Sequence, residues 1–326
     1  MLPTPRATNR DEVPVLDLSN LVREGPVETL AQELRRACET TGFLYVANHG
    51  VPQAVIDDAF TVTRRYFALP LEQRLRDKID ERFRRGFMPT GINQHPSYAP
   101  DLKESFDYGL DLPLDDPDVV AGRPLYGPNR WPDDLPWFRL KAEAYFDATM
   151  ALGKRLLKLV ALSLDQPEDF FLKWCRKPMV QTRLFHYPPQ PVDAAENQLG
   201  VAPHTDYGMI TILAQDPIGG LELLKRDGEW IGAPYIEGTF VINLGDLMKV
   251  WTNDLYVSNA HRVINRSGRE RYSIPTFFNL DYDAPVACLD SCQSPDNPPK
   301  YKPIKSGDYL VSRFRDVQKF RPTSVA

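Results

Sequence analysis

The stretch Pro203-His204-Thr205-Asp206-Tyr207-Gly208-Met209-Ile210-Thr211-Ile212-Leu213-Ala214 decides how this chain reads. His204 and Asp206 lie two residues apart, so on an extended segment both project from one face. Met209 to Ala214 reads as a buried strand, and Gly219-Gly220-Leu221-Glu222-Leu223 as a turn into another. Val241-Ile242-Asn243-Leu244-Gly245-Asp246 repeats the strand-turn form, and His261-Arg262-Val263-Ile264 is a further strand candidate. A rolled-up antiparallel sheet brings His261 back to the His204–Asp206 pair. Two neutral imidazoles and one carboxylate occupy one face of an octahedral metal and leave three adjacent positions open. That donor set suits a non-haem Fe(II) that must bind both an organic molecule and dioxygen. With five histidines in the chain, a lone His-x-Asp is a weak signal, and the plainer alternative is a capping aspartate with two partly buried histidines. The succession of strands and turns between the ligands is what raises it.

Working outward, 326 residues and 37.2 kDa allow one large core or two modest domains. Apolar content of 42% and charged content of 25% are ordinary for a soluble globular chain. No apolar run approaches the roughly 20 residues needed to span a membrane. The start, Met1-Leu2-Pro3-Thr4-Pro5-Arg6, lacks the apolar stretch of a signal peptide. A net charge of −5 argues against a nucleic-acid partner held mainly by phosphate contacts. The basic segment from Lys300 to Arg321 reads as a solvated helix face or a lid over an anionic pocket. Cys38, Cys175, Cys288 and Cys292 are sparse and scattered, which fits free thiols in a reducing, cytoplasmic setting. Oligomeric state has no signature here.

In the N-terminal half, Val13 to Leu18 reads as a first strand and residues 27–40 as a helix stopped at Gly42. Phe43 to Ala47 reads as a strand, and a second helix follows Pro52. Residues 76–136, rich in charge, Pro and Gly, predict irregular loops with little regular structure. A long helix is expected from about Trp137 to Leu164, with Leu140, Met150, Leu156, Leu157, Val160 and Leu164 at helical spacing. Strands dominate from Val180, until Tyr309 to Phe320, a candidate final helix.

Ten residues after His261 comes Arg271-Tyr272-Ser273. On a strand Arg271 and Ser273 point to one side, where a guanidinium fork and a hydroxyl together match a carboxylate. The alternative is an Arg271 that is exposed or paired with a protein carboxylate.

His204-Thr205-Asp206, His261 and Arg271-Tyr272-Ser273 together resemble the motifs of the Fe(II)/2-oxoglutarate-dependent dioxygenases related to isopenicillin N synthase. Supporting matches run through Gly42 to Pro52, Lys103-Glu104-Ser105-Phe106-Asp107, Tyr187-Pro188-Pro189, Gly219-Gly220-Leu221, Asn243-Leu244-Gly245-Asp246 and Trp251-Thr252-Asn253. The resemblance implies an α+β fold. Its double-stranded β-helix (jelly-roll) core lies at residues 176–326, with flanking helices mainly from a helical N-terminal region, 1–175, packed on it as one structural unit. It implies His204, Asp206 and His261 as Fe(II) ligands, and Arg271 with Ser273 as the clamp on the distal carboxylate of 2-oxoglutarate, aided by Tyr187. It implies O2 as the second co-substrate, and hydroxylation or desaturation of a small molecule as 2-oxoglutarate becomes succinate and CO2. An oxidase using the same iron without 2-oxoglutarate, a non-catalytic ligand-binding jelly roll and a zinc hydrolase are the competing readings.

One departure matters: many relatives carry Asn where this chain has Phe185, in Phe185-His186-Tyr187-Pro188. His186 neighbours Tyr187 on an apparent strand and is expected to point away from the site, in a structural role. His49 and His95 are expected to be structural or solvated. Arg183, Phe185, Tyr207, Phe106 and Phe278 are the candidate substrate-facing residues, and residues 83–108 with the C-terminal segment the candidate lid.

Overall fold

The computed structural model describes residues 5–9, 11–92, 97–133, 135–191, 194–195 and 197–318. Twelve strands form two sheets: β1 (Val15–Asp17), β2 (Phe43–Ala47), β3 (Gly86–Met88), β4 (Glu104–Gly109), β5 (Gln181–Tyr187), β6 (Val201–His204), β7 (Ile210–Gln215), β8 (Leu221–Leu224), β9 (Trp230–Ala233), β10 (Thr239–Leu244), β11 (His261–Val263) and β12 (Arg271–Phe278). The larger sheet runs β1-β2-β10-β7-β12-β5-β4-β3 and the smaller β6-β11-β8-β9. From β5 onward the chain passes repeatedly between the two, which is the winding of a double-stranded β-helix.

Helices cover the outer face of the larger sheet. Short α1 (Ser19–Val22) precedes α2 (Glu28–Thr40) and α3 (Gln53–Phe67). Two short pieces, α4 (Leu71–Arg76) and α5 (Pro117–Val120), come before the long α6 (Phe138–Ser163). The α6 stripe Ala142, Tyr145, Phe146, Thr149, Leu152, Leu156 and Val160 is buried at helical spacing. Leu140, expected on that stripe, is 73% exposed. It sits in the first turn, on the face turned away from the sheet. Gly153 lets Phe278 of β12 approach α6, since a Cβ there would come within 2.2 Å of the Phe278 ring. A second apolar layer, including Phe43, Tyr45, Phe185, Tyr187, Leu221, Leu223 and Val263, fills the space between the sheets. Among the described residues no helix is long and apolar enough to cross a membrane.

The expectation of irregular structure over residues 76–136 is overturned by β3 and β4. All six residues of β4 are buried, and β4 pairs along its whole length with β5. Its charges hid it. Glu104 is paired with Arg74 and His186, and Asp107 with Arg183 at 2.9 Å, so a buried strand reads as a polar loop. Four strands of the larger sheet thus come from before residue 175, and the two parts of the chain share one core. The last helix, α8 (Ser306–Gln318), starts near the expected place; residues beyond 318, and His95, lie outside the described residues.

Candidate active site

His204 ends β6 and His261 opens β11, and the two are direct cross-strand partners in the smaller sheet. Asp206 follows two residues after His204, where the chain crosses toward β7. The ring centroids of His204 and His261 are 4.3 Å apart, and Asp206 Oδ1 lies 3.9 Å from His204 Nε2 and 3.8 Å from His261 Nε2. One ligand atom from each residue falls within 4.8 Å of the others.

The surrounding hydrogen bonds point these atoms at one another. His204 Nδ1–H donates to the Ala202 carbonyl at 2.8 Å and His261 Nδ1–H to the Asn259 carbonyl at 3.3 Å, so each Nε2 keeps its lone pair. Asp206 Oδ2 accepts from Thr211 Oγ1 at 2.5 Å and from Asn243 Nδ2 at 2.7 Å, leaving Oδ1 for a metal. Burial, reinforced by the neighbouring His261, draws the His204 pKa well down and keeps that ring neutral. Burial opposes ionisation of Asp206, but the two imidazoles and the Asn243 and Thr211 donors outweigh it and hold the carboxyl below its usual range. Two imidazoles and a carboxylate whose other polar atoms are already hydrogen-bonded fit a divalent iron.

Further along the same cavity Arg271 is 1% exposed. Its Nε donates to the Gly219 carbonyl, Nη1 to Ser273 Oγ at 3.4 Å and Nη2 to Gln215 Oε1 at 3.5 Å, and its guanidinium lies 4.5 Å from the Tyr187 ring centre. Among the described residues no carboxylate forms an ion pair with it. Gly220 makes room: at φ +91°, a Cβ there would come within 2.6 Å of the Ile264 carbonyl oxygen. A buried cation hydrogen-bonded only to neutral groups is a costly arrangement that an incoming carboxylate relieves.

The two edges of the site obey strand parity. Gln181, Arg183, Phe185 and Tyr187 of β5 and Arg271, Ser273, Pro275 and Phe277 of β12 line a cavity of about 540 Å3, together with His204, Asp206, Tyr207 and His261. Phe106 and Phe278 do not line it. Phe106 belongs to β4's outward face, packed on Tyr66 and Phe138 with ring centres 4.8 and 5.1 Å away. Phe278 packs on α6, one residue out of phase with Arg271 and Ser273; the same parity picks Phe277 instead. His186 also faces outward. It stacks on Tyr272 at 5.0 Å and bridges Glu104 and Glu270, while His49 is buried against Phe240.

The sequence offered residues 83–108 and the C-terminal segment as a lid, without naming the side chains that reach the cavity. Arg84, Arg85, Asp101 and Lys103 from the segment before β4, and Leu310, Arg313, Phe314 and Asp316 from α8, complete the wall. Lys103 pairs with Asp101 at 2.5 Å and lies 5.6 Å from the Phe185 ring. Asp246, at the start of α7 (Asp246–Trp251), ties α8 to the ligand loop. It accepts from Thr205 Oγ1 at 3.1 Å, Ser258 Oγ at 2.8 Å and Tyr309 OH at 3.3 Å.

The family descriptions "non-haem dioxygenase in morphine synthesis N-terminal" and "2OG-Fe(II) oxygenase superfamily" match residues 13–134 and 178–280. A 2-oxoglutarate-Fe(II) type oxidoreductase, hxnY, of Emericella nidulans is 38% identical over 93% of this chain and 89% of its own length. The chain belongs to the 2OG-Fe(II) oxygenase superfamily. Kihadalactone A synthase LFS of Citrus sinensis is 33% identical over 95% of each protein. The crystal structure of a full-length Neurospora crassa protein in complex with alpha-KG matches at a TM-score of 0.84 and 29% identity, over 96% of this chain and 99% of that one; the same protein has been solved with alpha-KG and thymine. This oxygenase therefore uses Fe(II), 2-oxoglutarate and O2, and an oxidase that dispenses with 2-oxoglutarate is not favoured.

Proposed function

We propose that His204, Asp206 and His261 hold the iron, and that Arg271, Ser273 and Tyr187 receive the distal carboxylate of 2-oxoglutarate. One observation carries the reading: a buried guanidinium that forms no ion pair among the described residues opens on the same cavity as three converging donor atoms. When bound, the iron supplies oxidising power drawn from O2 and the decarboxylation of 2-oxoglutarate. The protein's part is orientation and exclusion of water. Arg271 and Ser273 fix the far end of the co-substrate, Tyr187 supports the guanidinium from below, and Thr211 and Asn243 keep Asp206 to a single free oxygen. The α8 residues Leu310, Arg313 and Phe314 roof the cavity as a lid, anchored through Tyr309 to Asp246.

The reaction read from this arrangement is hydroxylation or desaturation of a small molecule that enters beside Tyr207, Arg183 and Phe185. The Neurospora crassa protein, whose structure includes thymine, supports a substrate of that size. Four free thiols fit a reducing cytoplasm. The test is substrate-dependent succinate formation from 2-oxoglutarate, abolished in His204→Ala. Succinate release that persists in the variant refutes the ligand assignment.

A further inference from the structure

Gly245-Asp246 leads from β10 into α7, and this corner lies directly against the loop that carries Asp206. The Gly245, Asp246 and Leu247 amides donate to the carbonyls of Met209, Asp206 and Tyr207 at 3.0, 2.8 and 3.2 Å. Glycine at 245 permits the approach, since a Cβ there would stand 2.3 Å from the Gly208 carbonyl oxygen. The backbone of Asp246 is thus pinned to the ligand loop, and its side chain is largely buried.

The Asp246 carboxylate serves three segments at once. Oδ1 accepts from Ser258 Oγ at 2.8 Å, and the next residue, Asn259, supplies the carbonyl that receives His261 Nδ1–H at 3.3 Å. Oδ2 accepts at 3.1 Å from Thr205 Oγ1, on the residue between His204 and Asp206. The same oxygen accepts from Tyr309 OH at 3.3 Å and lies 3.8 Å from Arg313 Nη2, both on α8. Tyr309 and Arg313 stand four apart, so one face of the helix makes both contacts. Because these groups share one small acceptor, their positions are not independent. Withdrawing α8 leaves Oδ2 with the Thr205 hydroxyl as its hydrogen-bond donor among the described residues, and the carboxylate is freer to turn about its Cβ–Cγ bond. A second path from α8 to the ligand loop runs through Phe314 on Tyr207, with ring centres 5.9 Å apart.

We propose that Asp246 is a positioning residue through which metal binding and the docking of α8 support each other. Between Thr205 and Ser258 it sets the spacing of the two ligand-bearing stretches, and Tyr309 in turn sets the carboxylate. When His204, Asp206 and His261 are drawn onto a metal, Thr205 and Ser258 are steadied, Asp246 with them, and α8 gains a firmer seat. By linkage, a seated α8 raises metal affinity by the same factor. The roof of the cavity therefore closes more firmly over a loaded site than over an empty one. The proposal rests on the reading of the three donors as the iron ligands.

The test is calorimetry with Mn(II) on a double-mutant cycle of Tyr309→Phe and Asp246→Asn. Tyr309→Phe removes one hydroxyl, on α8 and remote from the ligands, and is expected to raise the Kd by about threefold or more, near the weak end of ordinary coupling between sites. In the Asp246→Asn background the same substitution is expected to change the Kd by less than about twofold, because the path is already cut. A smaller loss in Tyr309→Phe alone, or an equal loss in both backgrounds, overturns the proposal; equal losses assign the link to the Phe314 path. Limited proteolysis reads the reverse direction without any Asp246 variant. Arg313 and Arg315 are trypsin sites inside α8. Saturating Mn(II) is expected to slow cleavage there about threefold or more in the parent and less than about twofold in Tyr309→Phe. Cleavage that Mn(II) leaves unchanged in the parent, or slows equally in both proteins, overturns the proposal. His204→Ala tests the underlying reading separately: Mn(II) affinity that survives it refutes the ligand assignment, and the coupling falls with it.

Discussion

Replacing Arg271 with Gln separates the cost of a buried cation from its use. The guanidinium is 1% exposed, and its hydrogen-bond partners, the Gly219 carbonyl, Ser273 and Gln215, are all uncharged. Removing it therefore relieves a desolvation penalty, and the apo protein is expected to melt no lower than the parent. With 2-oxoglutarate present the sign reverses. Truncating one partner of a buried, hydrogen-bonded charge pair costs about 2–5 kcal/mol, or about 30- to 4,000-fold in Kd. At a co-substrate concentration of about 100 times the parental Kd, binding stabilises the parent by about 2.7 kcal/mol. The same concentration stabilises Arg271→Gln by about 0.9 kcal/mol or less, because it is then only about three times the variant's Kd. The assay is anaerobic titration of the Fe(II) protein followed by the charge-transfer band, with thermal unfolding at each concentration. A Kd within threefold of the parent, or an apo variant that melts several degrees lower while its Kd is unchanged, refutes the role assigned to Arg271.

Three more outcomes follow from the geometry. Asn243→Ala frees Asp206 Oδ2 from a 2.7 Å donor, so the carboxylate rotates more freely and metal affinity, measured with Mn(II) by calorimetry, should drop about 10- to 100-fold. Burial disfavours the charge on His186, but hydrogen bonds to Glu104 and Glu270 outweigh it and raise the pKa above the free value of 6.5. Since the folded value is the higher one, the stabilisation is complete below about pH 6.5 and is lost as pH rises through the folded value. Thermal melts from about pH 5.5 to 9 should show that decline in the parent and a flatter profile in His186→Asn; equal slopes would remove His186 from the account. Phe278→Ala should cost about 3–5 kcal/mol in urea denaturation, from the gap left against α6, while Phe277→Ala should change substrate KM more than stability. The opposite pattern would restore Phe278 to the pocket.

The contrast between these two phenylalanines shows where a sequence is legible. Direction within one strand follows from alternation alone, so Arg271 and Ser273 are readable as a pair, and the same count leads to Phe277. His186 is placed outside by that rule, and it does lie there, stacked on Tyr272. Phe106 is illegible by the same rule because β4 does not read as a strand: its buried charges are matched by Arg74, His186 and Arg183, partners far away in the chain.

Donor types, their spacing and the strand alternation that aims them can be read from the residues alone, since these depend on local stereochemistry and on residue identity. That Arg84, Arg85 and the α8 residues Arg313 and Phe314 share a wall with Asp206, and that Asp246 fastens α8 to the ligand loop, emerges from the folded chain. The path of loops tens of residues long sets those meetings, and no short-range periodicity encodes it.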